Sequence, residues 1–164
     1  MKTKHTLILT MFIGLLLTSC SPKLNLINDE FPESKAEIKK VLDGILKSFQ
    51  DKDADKLISY HVYGPKFTEF RNDSPRFGSK ENEEYERGFV GAISAFDYNL
   101  GDLKIDVFGD VAVVTFEADF RPTMNNKVVQ IWANVTLVFV KVNDTWKITH
   151  EHFSQFEKTK TKSL

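Results

Sequence analysis

The sequence predicts an α+β domain in which three helices, followed by antiparallel strands, share one core. Apolar residues recur at the helical spacing of three or four up to Phe96, and from Leu103 onward they alternate with polar residues as in strands. Two-residue turn signals, Gly109-Asp110 and Asn143-Asp144, join neighbouring strands. Strands joined by such short turns pair antiparallel, because a parallel pair needs a long crossover.

The first helix is predicted over Lys35–Gln50. Ser34 and Glu37 fit a capping box, in which two side chains satisfy reciprocal backbone N–H groups at the helix start. The apolar positions that follow have the spacing of one buried stripe. They are Ile38, Val41, Leu42, Ile45, Leu46 and Phe49.

Two more helices and a short strand are expected before the main strands. Asp53 is expected to cap a short second helix, and Lys66–Arg71 is the short strand. Ser79 is expected to cap the third helix, Lys80–Phe96. Its apolar stripe comprises Tyr85, Phe89, Ala92, Ile93 and Phe96.

Four long strands follow Asp97. The first contains Leu103, Ile105 and Val107, and the others are Val111–Arg121, Val128–Val142 and Thr145–Phe153. The second and third are apolar on both faces, so helices can cover only one of these faces. We expect a second subunit to cover the other face and to make the protein a homodimer. The expected contact residues are Trp132, Val138 and Val140.

The first 19 residues are interpreted as a signal peptide outside the fold. Lys2 and Lys4 precede the apolar run Thr6–Thr18, which is too short to span a membrane as a mature helix. The residues Leu17-Thr18-Ser19-Cys20 resemble the lipobox of bacterial lipoproteins. That resemblance implies cleavage before Cys20, acylation of Cys20 with chains such as palmitate, and a membrane anchor. The alternative is an ordinary secretory signal with a chance cysteine.

Cleavage at this point leaves residues 20–164, or 145 residues, which is enough for one domain with a core. Loss of Lys2 and Lys4 changes the formal charge from −1 to −3, so nucleic acid is not an expected partner. Cys20 is the only cysteine, which excludes an intramolecular disulfide and a cysteine zinc cluster. We expect the bacterial cell envelope as location, and the outer membrane because Ser21, not aspartate, follows the cysteine.

Three parts are expected in the mature chain: the lipidated N-terminus and tether at 20–33, the domain at 34–156, and a disordered tail at 157–164. The tether contains two prolines and shows no clear period. The alternative is an ordered strap that packs on the domain through its apolar residues.

The order of elements resembles the nuclear transport factor two-like (NTF2-like) superfamily. The stretches FGDVAVVTFEADF and VTLVFVKVNDTWKITHEHFS are similar to its SnoaL-like branch, and the second is also similar to the association domain of calcium/calmodulin-dependent kinase. The resemblance covers roughly Glu33–Phe156. It implies a curved sheet wrapped around the first helix, forming a cone with a pocket open at one end. In the enzymes of this family, acid and base residues lie inside the cone.

The C-terminal stretch WKITHEHFSQF carries His150 and His152. On a regular strand both would share a face with Ile148 and point into the cone, and Glu151 would point outward. Three interpretations are open: a structural hydrogen-bond pair, a ligand contact or acid–base pair, and a metal site. The metal site would need a third ligand that is not visible nearby, and neither a metal nor a cofactor is expected.

The other pocket candidates are one histidine and four aromatic residues. They are His61, Tyr63, Phe67, Phe70 and Phe89. Together with the two C-terminal histidines they are expected to line a mostly apolar ligand pocket, the alternative being ordinary core aromatics. Asp119 shares a strand face with Glu117. Pointing inward it would have a raised pKa and could act as a base, and pointing outward it would be solvated or lie at the dimer rim.

Two classes of function remain. The favoured one is an envelope lipoprotein that binds a small, largely apolar ligand or serves as a dimeric assembly module. The alternative is a SnoaL-like isomerase, cyclase or hydro-lyase that uses His150, His152 or Asp119 as acid or base. The steroid-isomerase member of the family needs an aspartate on the short strand, where this sequence has only Glu69. A cone filled with phenylalanine side chains would leave only assembly.

Overall fold

The computed structural model describes residues 25–157. In chain order the elements are α1 (Pro32–Asp51), α2 (Ala54–Ile58), β1 (Thr68–Arg71), α3 (Ser79–Ala92), β2 (Ile93–Phe108), β3 (Val111–Met124), β4 (Lys127–Val128), β5 (Ile131–Val142) and β6 (Thr145–Gln155). The predicted signal peptide, the lipidation site Cys20 and the tail from residue 158 onward lie outside the described residues. No helix between residues 25 and 157 has the length and apolar content needed to cross a membrane.

All six strands form one sheet in the order β1-β6-β5-β3-β2, with β4 paired to β3. β1 runs parallel to β6, and the other pairs are antiparallel. The predicted α+β architecture, with helices packed on a curved and open sheet, is confirmed, and β2, β3, β5 and β6 form the expected meander. The predicted strand Val128–Val142 is divided into two strands, β4 and β5. A tight turn at Asn125 and Asn126, which both have positive φ, pairs β4 with the end of β3 before β5 begins.

The first helix begins earlier than predicted and without the predicted capping box. Pro32 occupies the first helical position, where a missing N–H costs no hydrogen bond. Phe31 precedes it with a left-handed φ of 46°, and no side chain caps the helix. Ser34 therefore lies inside the first turn. The predicted stripe is buried, most completely at Ile38 and Leu42, which are at most 1% exposed.

The third helix ends at Ala92, four residues before the predicted end at Phe96. Ile93 has extended backbone angles and opens β2, in which Phe96 pairs with Pro122 of β3. A short apolar run fits the helical and the strand period equally well, so pairing with β3 decides its conformation.

The predicted capping residue is confirmed for α2 and wrong for α3. Asp53 caps α2 as predicted, because its carboxylate accepts a hydrogen bond of 2.9 Å from a backbone N–H in the first turn. The cap of α3 is Gly78 instead of Ser79, and the Gly78 N–H donates to the Glu81 carboxylate at 3.1 Å. The Ser79 hydroxyl donates to the Gly64 carbonyl and thereby fixes the loop before β1.

The described part of the predicted tether is the short segment before α1. Asn25 and Asp29 close a turn through hydrogen bonds of 2.8 and 2.9 Å. Phe31 packs against the core, whereas Ile27 is 82% exposed. The segment therefore contacts the domain at its end and projects into solvent at Ile27.

Candidate functional site

A cavity opens between the helices and the curved sheet. Its volume is about 130 Å³. Its wall is mostly apolar and includes Leu46, Phe49, Phe89, Phe116, Phe120 and Val135. The cone is thus open and is not filled with phenylalanine side chains, so a ligand-binding function is compatible with it.

Among the ionisable side chains that line this cavity, five lie close together: His61, Glu69, Arg71, Glu86 and Glu151. They come from the segment after α2, from β1, from α3 and from β6, and contacts between them form one group, the acidic end. Such a group inside an apolar wall is the arrangement expected of a ligand or acid–base site.

Glu151 reaches the cavity because β6 contains a β-bulge. Two consecutive residues of β5 pair with Ile148 and His150, so Thr149 is an extra residue without an opposite partner. Beyond the bulge the two faces of the strand are exchanged. Glu151 therefore points into the cone, on the same side as Ile148.

The prediction that His150 points into the cone is wrong, because the bulge breaks the alternation on which it rests. His150 Nδ1 lies 2.8 Å from Thr68 Oγ1 on the outer face of the sheet. Phe70 packs edge-on against both imidazole rings, with centroid distances of 6.2 and 6.3 Å. His152 borders the cavity but is itself exposed.

His61 and Glu151 form a buried ion pair. His61 Nε2 lies 3.1 Å from Glu151 Oε1, and His61 Nδ1 lies 3.2 Å from the Leu57 carbonyl oxygen. Burial alone would lower the pKa of His61, but the Glu151 carboxylate raises it above its ordinary value. Burial also opposes ionisation of Glu151, yet His61 and the amide of Asn82 hold the pKa of Glu151 below its ordinary value. Each charge thus stabilises the other.

Asn82 joins this pair to the second carboxylate. Its Nδ2 group donates to Glu151 at 3.0 Å and to Glu69 at 2.8 Å, and its Oδ1 atom accepts from the Tyr63 hydroxyl at 2.5 Å. Glu69 also accepts from Arg71 at 2.5 Å. Both carboxylates therefore have one cation and one amide as partners, which satisfies them in a buried setting.

Glu86 is the third carboxyl of the acidic end and differs from the other two. Its Oε2 atom is buried and has no hydrogen-bond partner among residues 25–157. Burial, and after it the charge of Glu151, raises the pKa of Glu86 to about 8, although His61 acts in the opposite direction. This carboxyl is therefore mostly protonated at neutral pH.

The predicted pocket residues between α2 and β2 occupy three kinds of position. His61 and Phe89 line the cavity. Tyr63 and Phe67 pack behind the His61 ring at centroid distances of 5.1 and 5.8 Å, so they support the acidic end. Phe70 is 42% exposed and lies on the outer face beside the two C-terminal histidines.

Asp119 also lies on the outer face, so the alternative that makes it a base inside the cone is wrong. The residues on either side of it in β3 face inward: Ala118 is 2% exposed, and Phe120 lines the cavity. The Asp119 carboxylate accepts from Arg121 at 2.7 Å and from Gln130 at 3.0 Å. Between residues 25 and 157, no group of three or more His, Cys, Asp or Glu side chains could hold a metal ion.

The sequence contained a usable signal for Glu86 but not for Glu151. Glu86 stands four residues after Asn82 and three before Phe89, so it belongs to the inward stripe of α3, where a carboxylate is unusual. Glu151 is placed by a bulge, and a bulge depends on the pairing of two strands. No local sequence pattern predicts this bulge.

Helices packed on a curved, open antiparallel sheet, with a cavity between the layers, define an NTF2-like protein. The family model of the SnoaL-like domain matches residues 38–157. The chain therefore belongs to the SnoaL-like domain family of the NTF2-like superfamily. No curated protein matches the sequence significantly.

Several solved structures share the fold at low sequence identity. A candidate dehydratase of the NTF2-like family from Streptomyces avermitilis has a TM-score of 0.70 and 17% identity, covering 77% of this chain and 99% of that one. An NTF2-like superfamily protein from Salmonella enterica has a TM-score of 0.67 and 22% identity, covering 80% and 97%. A candidate scytalone dehydratase from Novosphingobium aromaticivorans has a TM-score of 0.68 and 12% identity, covering 77% and 87%. Identities this low show a common fold only.

Proposed function

We propose that this protein is a lipid-anchored protein of the bacterial envelope whose SnoaL-like domain binds a small, largely apolar molecule with one polar group. The cavity is the observation that carries the proposal. Its apolar wall favours an apolar body, and the acidic end supplies the few polar groups that orient a ligand.

Glu86 is where the polar group of the ligand is expected. A buried polar atom without a partner costs about 1–3 kcal/mol, and Glu86 Oε2 is such an atom. A ligand that hydrogen-bonds to it recovers part of this cost. Glu69 and Glu151 gain less from a ligand, because each already has two partners.

A binding assay with matched variants tests the cavity. Val135 lines it and is 7% exposed, so Val135→Phe should fill part of it. Val142→Phe adds the same bulk at the exposed end of β5 and is the control. We expect native mass spectrometry to show a copurifying molecule in the wild type and in Val142→Phe, and its loss in Val135→Phe. The fluorescent probe N-phenyl-1-naphthylamine should bind at least tenfold more weakly to Val135→Phe. Equal binding to both variants would contradict the proposal.

The anchor would keep this cavity near a membrane. Twelve residues lead from Cys20 to the start of α1 at Pro32, and even fully extended they span only about 40 Å. Intact-mass analysis of the membrane fraction should show loss of residues 1–19 and added acyl mass. Cys20→Ser should release the protein from the membrane or block its processing. Unchanged membrane retention of this variant would contradict the anchor.

A second candidate function is acid–base catalysis by an isomerase, cyclase or hydro-lyase. Glu86, with a pKa of about 8, lies beside the His61–Glu151 ion pair, and a group that titrates near the working pH is suited to proton transfer. Two of the similar structures are candidate dehydratases. In such an enzyme Glu86 would transfer the proton to or from the substrate, in place of His150, His152 or Asp119, which the sequence predicts as acid or base.

Hydrogen exchange separates catalysis from binding. An enzyme of this kind exchanges a C–H hydrogen of its substrate with solvent, so the copurified molecule should gain deuterium when incubated with the protein in D2O. Glu86→Gln should stop the exchange while the molecule still binds. Binding without any exchange over hours would exclude this candidate.

A further inference from the structure

The acidic end contains one carboxyl more than it has cations. Glu69 is paired with Arg71, and Glu151 is paired with His61. Glu86 is the remaining ionisable side chain there, and it forms no ion pair with a cation of residues 25–157. When Glu86 ionises, one negative charge inside the cavity has no counter-charge.

The wall beside Glu86 is aromatic. Tyr85 and Phe89 flank it on α3 with stacked rings 6.2 Å apart, and Phe49 meets Phe89 edge-on at 5.8 Å. Aromatic faces attract organic cations. Arg71 already lies over the Tyr85 ring, 3.1 Å from its centroid, so this wall holds a cation of the protein itself.

We propose that the molecule bound in the cavity is an amine, protonated on nitrogen and carried on an apolar body, with its ammonium group against Glu86. The inference rests on the proposed binding function. The ammonium supplies the missing positive charge, and its N–H groups donate to the unpartnered Oε2 atom. The apolar body lies along the wall formed by Phe116, Phe120 and Val135.

Other polar groups fit this site less well. An anion would face the side chains of Glu69 and Glu151, which already pair with the two cations of the acidic end. A carbonyl or ether oxygen needs a donor, but Asn82 Nδ2 is bonded to two carboxylates and both nitrogens of His61 are bonded as well. That leaves the proton of Glu86 and the guanidinium of Arg71, which already bonds to Glu69 and lies over the Tyr85 ring. A hydroxyl can donate to Glu86 but leaves its charge uncompensated.

The effect of pH distinguishes an amine from a neutral ligand. The charged groups that face Glu86 are Glu69 and Arg71 on β1, Glu151 on β6 and His61 after α2. Because the pKa of Glu86 is about 8, an ammonium binds below that pH only by displacing the proton. The affinity for an amine should therefore rise roughly tenfold per pH unit between pH 6 and 8 and then level off. A neutral acceptor needs that proton, so its affinity should fall over the same range.

Three probes with one body and different polar groups test the inference: 4-phenylbutylamine, 4-phenylbutan-1-ol and 4-phenylbutanoate. They are titrated by calorimetry into the full-length protein in detergent at pH 6.5 and 8.5. We expect the amine to bind at least tenfold more tightly than the alcohol at pH 8.5. Glu86→Gln should remove this advantage. Glu84→Gln removes a charge from a side chain that is 67% exposed on the same helix, so it should keep the advantage.

The outcomes separate this inference from the function on which it rests. If the alcohol binds as tightly as the amine at both pH values, the ligand is not an amine but the cavity still binds. If none of the three probes binds at millimolar concentration, both the inference and the binding function are wrong. If Glu86→Gln does not fold, the wild-type series decides. An amine affinity that fails to rise between pH 6.5 and 8.5 then overturns the inference.

Discussion

The two faces of β6, in its C-terminal half, hold ionisable residues in different settings. On the inner face Glu151 is buried at the cavity and paired with His61. On the outer face His150 bonds to one hydroxyl of β1. Removal of the inner group leaves a buried charge without a partner, whereas water can replace what is lost outside. The face that a residue occupies therefore says more about its chemistry than a His-x-His pattern does.

The largest expected difference between the faces is in stability. Glu151→Ala leaves His61 charged and buried, and should lower the free energy of unfolding by about 3–5 kcal/mol. His150→Ala is the control on the outer face and should cost about 1 kcal/mol. The contribution of His61 to the free energy of unfolding is complete below pH 6.5, because its pKa is raised in the folded state. The contribution of Glu151 is complete above pH 4.5, because its pKa is lowered. Urea unfolding should therefore be measured at pH 5.5, where both contributions are present. Equal losses for the two variants would contradict the buried pair.

Replacement of Glu86, the carboxyl without an ion pair on the inner face, should raise the free energy of unfolding, whereas replacement of Glu151 lowers it. Folded Glu86 keeps its proton up to about pH 8, whereas the unfolded chain releases it near pH 4.5. The stability it contributes is complete below pH 4.5 and is lost as the pH rises towards 8. Glu86→Gln should be nearly neutral at pH 4.5 and should raise the free energy of unfolding by roughly 2–4 kcal/mol at pH 9. Thermal unfolding at both pH values measures this, and an effect independent of pH would speak against a buried carboxyl.

The outer face of the sheet should matter for assembly and not for binding. We expect a homodimer through Trp132, Val138 and Val140, which lie on this face half-buried within a single chain. Light scattering on the protein without residues 1–20 should give twice the monomer mass. Val138→Lys should halve that mass and leave probe binding unchanged. A wild-type monomer at micromolar concentration would contradict this expectation.

The smallest effect is expected at His152. Because its side chain is exposed where it borders the cavity, His152→Ala should change the free energy of unfolding by less than about 0.5 kcal/mol. Binding of N-phenyl-1-naphthylamine should change less than twofold. A tenfold loss of binding would mean that this imidazole contacts the ligand, contrary to this expectation.

Most of the fold follows from local patterns. The stripe of α1, the cap at Asp53 and the tight turns between long strands each depend on residues close in sequence, and they predict the helices and the meander. The misplaced boundary at Ile93 depends on a partner strand, because its apolar run fits both periods. Local reasoning fails where long-range pairing decides.

The site was less predictable for the same reason. His61 and Phe89 follow from their place after a helix and on a helical stripe, and both line the cavity. Glu151 and His150 lie on the faces opposite to those that the strand period predicts, because one extra residue in β6 reverses the alternation beyond it. Asn82, which joins two carboxylates, has no signal in the sequence beyond its place on α3.

The most direct test is a ¹³C NMR titration of the glutamate side-chain carboxyls between pH 3 and 10. It measures whether the inner end of the cavity holds a buried carboxyl without a counter-charge. We expect one glutamate to titrate near pH 8 in the wild type and in His152→Ala, and to be missing in Glu86→Gln. If every glutamate of the wild type titrates below about pH 5.5, Glu86 is solvated or paired, and the site proposed at the acidic end is contradicted.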